Sequence, residues 1–301
     1  MTAALRQRSD AATMPVAPAI HVAGLSKRYA GGTLANDGID LVVPQGMTLG
    51  LLGRNGAGKT TLVRQITGEL RPTAGSVHVM GVDVITEHTR ARSLMGVVPQ
   101  EAEPFDHLRP AEHLAFFARM RGMSRRDAAR RADELVAMLG LSAHARHAAR
   151  QLSGGLKRKL LMGLALAGDP PILVLDEPTT GLDPHSRREV WASLRALRGR
   201  GHTIIITTHY MEEAEELCDE VALISGGRIH LQGTIESLRA HCRNRFKATY
   251  EEEGNGRGLV QGQTSEEVLA ELTRRGVEAF SLSKSSLEDV YLELTAEALE
   301  A

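Results

Sequence analysis

No stretch of this chain is apolar for long enough to cross a bilayer. The longest apolar run, 160–175, is cut by Gly168, Asp169, Pro170 and Pro171, whereas a spanning helix needs about 20 unbroken apolar residues. The amino-terminal "MTAALRQRSDAATMPVAPA" carries arginines but no hydrophobic segment, which excludes a secretory signal and leaves 1–18 as an expected disordered tail. Cysteine is scarce: Cys218 and Cys242 stand alone, outside any CxxC or ligand spacing, as reduced residues of a cytosolic chain do. An excess of either charge is missing too. With 37 acidic against 36 basic side chains, no global field draws the chain to nucleic acid or anionic lipid. "RRDAARR" (125–131) is basic but has no interleaved aromatics, so it reads as a wet helix face and not as a strand binder. His144 and His147 lack a further metal ligand nearby, and neither an internal repeat nor a heptad array is present.

What is there begins with a core. At 42% hydrophobic residues over 301 positions the chain can bury one large domain or two modest ones. Four short runs share one grammar: "MTLGLLG" (47–53), "LMGVVPQ" (94–100), "PILVLDE" (171–177) and "TIIITTH" (203–209). None alternates, which is how strands buried on both faces read. In open parallel α/β sheets ligands gather at the carboxyl ends of the strands. Gly53, Gln100, Asp176, Glu177 and His209 are therefore expected along one rim. By contrast "IHVAGLSKRYA", "GIDLVVPQG" and "SVHVMGVDV" alternate like half-exposed antiparallel strands. Residues 101–165 have helical apolar spacing, with Pro110 and Ser124 as start signals. Residues 240–301 read as a small appended α+β unit: two strands flanking the polar "EEEGNGRG" (251–258), a helix, a strand and a last helix.

"GRNGAGKTT" (53–61) matches GxxxxGK[ST] directly after an expected strand. Gly53, Arg54, Asn55, Gly56, Ala57 and Gly58 form a loop whose backbone amides face phosphate at the start of a helix. Lys59 reaches the β- and γ-phosphates, Thr60 can ligate Mg²⁺ and Thr61 can touch the α-phosphate. A nucleoside triphosphate is the expected ligand. Asp176 closes "ILVLDEP" as a carboxylate able to hold Mg²⁺ through water. Glu177 follows, placed to polarise a water aimed at the γ-phosphate, with turn capping as its other reading. Gln100 offers an amide to Mg²⁺ or to that water, and His209 a ring to the γ-phosphate and to Glu177.

These residues complete one site, yet "LSGGLKRK" (152–159) supplies a second anion-binding composition. Ser153 caps an expected helix, Gly154 and Gly155 leave amides bare at its positive end, and three cations follow. The surroundings are not GxSxG, so Ser153 is no nucleophile. The simplest use of the second half-site is a nucleotide held by another subunit.

Together "GRNGAGKTT", Gln100, "LSGG", "ILVLDEP", "GLDP" (181–184) and His209 resemble the ATP-binding-cassette ATPases, in order, over residues 20 to about 235. The resemblance implies an α/β P-loop fold with an antiparallel β subdomain and a helical signature subdomain. On this reading residues 19–239 are the cassette, 101–165 its helical part and 240–301 an accessory domain. It also implies two cassettes paired head to tail. Ser153, Gly154 and Gly155 then clasp a γ-phosphate across the interface, and Asp183 links the two sites. Tyr29 matches the aromatic that stacks on adenine, packing at a strand end being its other reading. ATP and Mg²⁺ are the implied cofactors, and a second cassette and an integral membrane permease the implied partners. The implied place is the cytoplasmic face of the membrane. Leu156 departs from the commonest signature, which has Gln there. An apolar residue at this position, "TTHYMEEAEELCDEV" (207–221) and "SLEDVYLELT" (286–295) are similar to the branch of Nod-factor, antibiotic and lipid exporters. A cassette ATPase of translation or DNA repair is the alternative, but the chain carries one cassette and no coiled-coil or zinc insert.

Overall fold

The computed structural model describes residues 17–252 and 256–300. Most of the tail expected over 1–18, and the middle of the polar turn at 251–258, lie outside the described residues.

The chain opens with β1 (Ile20–Arg28) and β2 (Leu34–Val43), then β3 (Thr48–Leu52) and α1 (Lys59–Ile66). β4 (Ala74–Val79) and the short β5 (Val82–Asp83) complete an antiparallel sheet of order β2-β1-β4-β5. Buried and exposed residues alternate along β1 and β2, so this sheet covers the core with one face. After α2 (His88–Ser93) and β6 (Met95–Val98) come α3 (Pro110–Met120), α4 (Arg125–Met138), two 3₁₀ turns (Ser142–His144 and Ala149–Gln151) and α5 (Gly154–Leu166). Both sequence start signals are used. Pro110 opens α3, where its missing N–H costs nothing, and the Ser124 hydroxyl accepts from the Asp127 amide to cap α4. Then follow β7 (Ile172–Asp176), α6 (Pro184–Arg198), β8 (Thr203–Thr208), α7 (Met211–Leu217), β9 (Glu220–Ser225), β10 (Arg228–Gly233) and α8 (Ile235–Arg239).

The central sheet has the order β10-β9-β3-β8-β7-β6, with β10 antiparallel and the rest parallel. Every residue of β3, β7 and β8 is buried. Alternate side chains feed different cores. Leu49, Leu51, Ile172, Val174 and Ile205 pack toward the antiparallel sheet and α1. Leu52, Leu173, Leu175, Ile204 and Ile206 pack toward α3 to α7. Burial on both faces is why these runs do not alternate in sequence.

The chain ends with β11 (Phe246–Glu252), β12 (Gly256–Gly262), α9 (Ser265–Arg274), β13 (Phe280–Lys284) and α10 (Leu287–Glu300). The sheet β12-β11-β13 and α9 enclose a small core of their own, built on Ala248, Tyr250, Val260, Val268 and Leu272. α10 returns to the main body: Leu287, Val290 and Tyr291 share a core with Leu217, Leu238 and Cys242.

Candidate functional site

Register places the expected rim. Leu52 pairs with Thr208, Asp176 with Thr207, and Val98 with Leu175, so β3, β8, β7 and β6 end level. Gly53, Glu177 and His209 each stand one residue past their strand. Gln100 does not end a strand as its run suggested. β6 stops at Val98, because Pro99 has no N–H for the ladder, and Gln100 lies exposed in the following loop.

The phosphate loop is fixed by close backbone approach. A side chain on Gly53 would put Cβ 2.3 Å from the Ile224 carbonyl oxygen. Gly58, at φ +106°, would meet the Ala35 oxygen at 2.5 Å. The Asn36 amide also donates to the Gly58 carbonyl at 3.2 Å. Arg54, Asn55 and Gly56 are exposed, Ala57 is buried, and Thr60 is exposed beside the half-buried Thr61.

Lys59 is only 5% exposed. Its ammonium donates to the carbonyls of Gly53 (2.8 Å) and Arg54 (3.3 Å) and pairs with Glu177 Oε1 at 3.3 Å. Glu177 has φ +51°, a strained conformation for a non-glycine residue and one that tends to cluster at active sites. Its amide donates to the Thr207 hydroxyl (2.9 Å) and carbonyl (3.2 Å), which holds the strained turn. Glu177 Oε2 accepts from the Thr180 hydroxyl at 2.7 Å and lies 2.6 Å from His209 Nδ1. Asp176, 4% exposed, accepts from the Thr207 hydroxyl. Thr60, Gln100 and Asp176 line one cleft of about 340 Å³. A hydroxyl, an amide and a carboxylate there suit a hard cation that takes its remaining ligands from phosphate and water.

The second half-site lies against different elements. Ser153 caps α5, accepting from the Leu156 amide at 3.4 Å. A Cβ on Gly154 would meet Leu182, and one on Gly155 would lie 2.9 Å from Ser186 Cβ. Asp183 caps α6, accepting from the His185 and Ser186 amides at 3.0 Å each and from the Ser186 hydroxyl at 2.6 Å. That hydroxyl, chief among several donors, holds the Asp183 carboxyl below the usual range. Gly154 and Asp183 are thus exposed, Gly155 is buried against Ser186, and the contacts of both glycines run to the start of α6 and the residue before its cap. Tyr29 stands just past β1, exposed, with the Lys27 ammonium 5.6 Å from its ring centre.

Sequence reading missed the supports. Thr180 and Thr207 are hydroxyls adjoining the motifs, and their position beside acidic strand ends is a usable signal. Tyr291 gives none: from α10 its hydroxyl accepts the Arg54 amide at 3.2 Å, across 237 residues.

A phosphate loop, an acidic strand end and a strained carboxylate on one rim define a P-loop nucleoside triphosphatase. Comparison with known proteins narrows the class. Residues 36–180 match the ABC transporter family. The chain is 38% identical over 305 residues to the daunorubicin resistance ATP-binding protein DrrA3 of Streptomyces coeruleorubidus, covering 93% of this chain and 96% of that one. It is 38% identical over 300 residues to the Nod factor export ATP-binding protein I of Mesorhizobium japonicum, covering 94% and 88%. Among solved structures it resembles the ATP-binding cassette MJ0796, a dimer in a post-hydrolysis state bound to ADP and Pi. That likeness has 25% identity, TM-score 0.64 and coverage of 71% of this chain and 98% of that one. The chain belongs to the ABC transporter ATPases. Among its described residues no helix is long and apolar enough to cross a membrane.

Proposed function

We propose that this chain is the motor subunit of an exporter, hydrolysing ATP in a dimer of cassettes and driving a separate membrane subunit. The observation that carries this reading is the division of the site. Lys59 and Glu177 form a buried pair with the half-buried His209 against it, whereas Ser153 and Gly154 lie exposed near Asp183, with Gly155 buried beneath them against Ser186.

Tyr29 offers an exposed face to adenine, and the amides of residues 53–61 take the phosphates. Lys59 then exchanges Glu177 for the β- and γ-phosphates. That exchange matters because it frees Glu177 Oε1, which the ammonium occupies at 3.3 Å, to face the attacking water. Once released, Glu177 keeps the Thr180 hydroxyl and His209 as orienting partners and accepts a proton from the attacking water. His209 meets Glu177 through Nδ1 and has Nε2 left for a γ-phosphate oxygen. Thr60, Asp176 and Gln100 would hold Mg²⁺, which when bound neutralises charge on the β- and γ-phosphate oxygens. Ser153 and the amides of Gly154 and Gly155 close on the nucleotide of a second copy, with Asp183 beside them.

Contact with the membrane subunit falls to the helical part. Phe105, Phe116 and Met120 are large apolar side chains exposed there, and Phe105 lies near both Phe116 and Phe117 at ring-centre distances of 6.5 and 6.3 Å. The cargo is taken only as a class, a drug, lipid or glycolipid-like molecule, a reading supported by relatives named for daunorubicin resistance and Nod factor export.

The test is Glu177→Gln, followed by light scattering with and without ATP. An ATP-dependent dimer with hydrolysis reduced by about 10²- to 10⁴-fold is expected, the range of a lost general base. A variant that stays monomeric with saturating ATP refutes the dimer. Co-purification with a multi-span membrane protein supports export, whereas recovery only on ribosomes or DNA refutes it.

A further inference from the structure

Glu213, on α7 four residues past His209, is 1% exposed. Its Oε1 accepts two hydrogen bonds, from the Thr179 hydroxyl at 2.6 Å and the Trp191 indole N–H at 2.9 Å. Oε2 is equally buried and has no partner. Arg158, on α5 five residues past Ser153, is in the complementary condition. Its Nη2 donates to the Gln100 carbonyl at 3.5 Å, while Nη1 is buried and unpartnered. Burial lowers the Arg158 pKa, and the charges of Glu103 and Glu213 oppose that shift, so the two groups lie within electrostatic reach without being paired.

We propose that Glu213 is a positioning residue for hydrolysis, whose free oxygen takes the free Nη1 of Arg158 when the signature helix engages nucleotide. The proposal rests on the dimeric ATPase reading above. Leaving a buried carboxylate oxygen and a buried guanidinium nitrogen unsatisfied is costly, so their pairing is downhill once α5 moves toward α7. The connections run both ways. Ser153 and Arg158 share one helix, so motion of the cap carries the guanidinium. Thr179 lies two residues past Glu177, and its neighbour Thr180 donates to the Glu177 carboxylate. Closure at the signature is thereby felt at the base. Trp191, the only tryptophan of the chain, touches Glu213 directly and reports on it.

The experiment uses the full-length protein and three variants: Glu213→Gln, which keeps an acceptor for Thr179 and Trp191, Arg158→Gln, and the double variant. A fluorescent ATP analogue measures binding, steady-state hydrolysis gives kcat and KM, and Trp191 emission is recorded with and without ATP. The expected results are analogue affinity within about twofold of the parent and kcat lowered about tenfold in either single variant. The double variant should be no worse than the singles, because both remove one interaction. ATP should shift Trp191 emission in the parent and not in the variants. Unchanged kcat, losses that multiply in the double variant, or a preserved emission shift would each overturn the proposal. If Glu213→Gln does not fold, as judged by circular dichroism and thermal unfolding, Arg158→Gln decides by the same readouts. A parent that neither dimerises nor hydrolyses ATP sinks the underlying reading instead, which separates the two failures.

Discussion

Gly155→Ala tests the second half-site at atomic scale. The added Cβ would sit 2.9 Å from Ser186 Cβ and 3.0 Å from its Oγ, closer than carbon atoms pack without displacement. Ser186 is not free to yield, since its hydroxyl and amide both serve the Asp183 cap at 2.6 and 3.0 Å. Overpacking of this kind costs about 1–3 kcal/mol. Loosening the α6 cap adds a further cost of about 0.5–2 kcal/mol when the cap is lost outright. A stability loss of about 2 kcal/mol, read as a fall in the urea midpoint at constant slope, is the expected outcome. Ser186→Gly removes both atoms that the new methyl strikes, so the double variant should regain the steric part. On the proposed reading hydrolysis should not return with it, because Ser186→Gly itself removes the hydroxyl's hydrogen bond to Asp183 beside the second half-site and leaves that cap looser. Two results refute the reasoning. Failure of Ser186→Gly to restore stability removes the steric account, and full ATP-dependent turnover by Gly155→Ala removes the phosphate-facing role.

Tyr291→Phe keeps the ring packed and removes the acceptor for the Arg54 amide; unfolding in urea should show a loss of about 0.5–1.5 kcal/mol. An unchanged midpoint would mean that water replaces the hydroxyl without cost. His113 is fully buried, its Nε2 accepting from the Phe105 amide at 2.9 Å, and desolvation lowers its pKa from the ordinary 6.5. The unfolded chain therefore binds the proton more readily than the folded one. Stability attributable to His113 is complete above about pH 6.5 and is lost as pH falls toward the lowered folded pKa. His113→Gln should flatten that slope in thermal unfolding between pH 7 and 5, and an equally steep slope would refute the assignment. Burial raises the pKa of both thiols, that of Cys242 to about 11. Neither should react with maleimide at pH 8 until the chain unfolds, and rapid labelling of the native protein would contradict their packing.

How much of this was legible in advance follows from how local each feature is. The phosphate loop, Asp176, Glu177 and His209 could be placed because strand type and strand end are written in consecutive residues. A run without alternation must be buried on both faces, and parallel strands so buried deliver their ends to one rim. Start signals at Pro110 and Ser124 were legible for the same reason, since a cap concerns only four or five neighbouring residues. Gln100 was misplaced by two residues because Pro99 ends the ladder before the apolar run gives out.

The sequence by itself determined which side chains end the rim strands and that a second glycine-rich segment opens a capped helix at Ser153, both carried by contiguous backbone. Only the tertiary structure decided what supports them. Tyr291 reaches Arg54, Glu213 gathers Thr179 and Trp191, and Ser186 forbids a side chain at Gly155. These contacts join segments far apart in the chain. Their energies depend on burial and on distances of a few tenths of an ångström, which periodicity and composition do not encode.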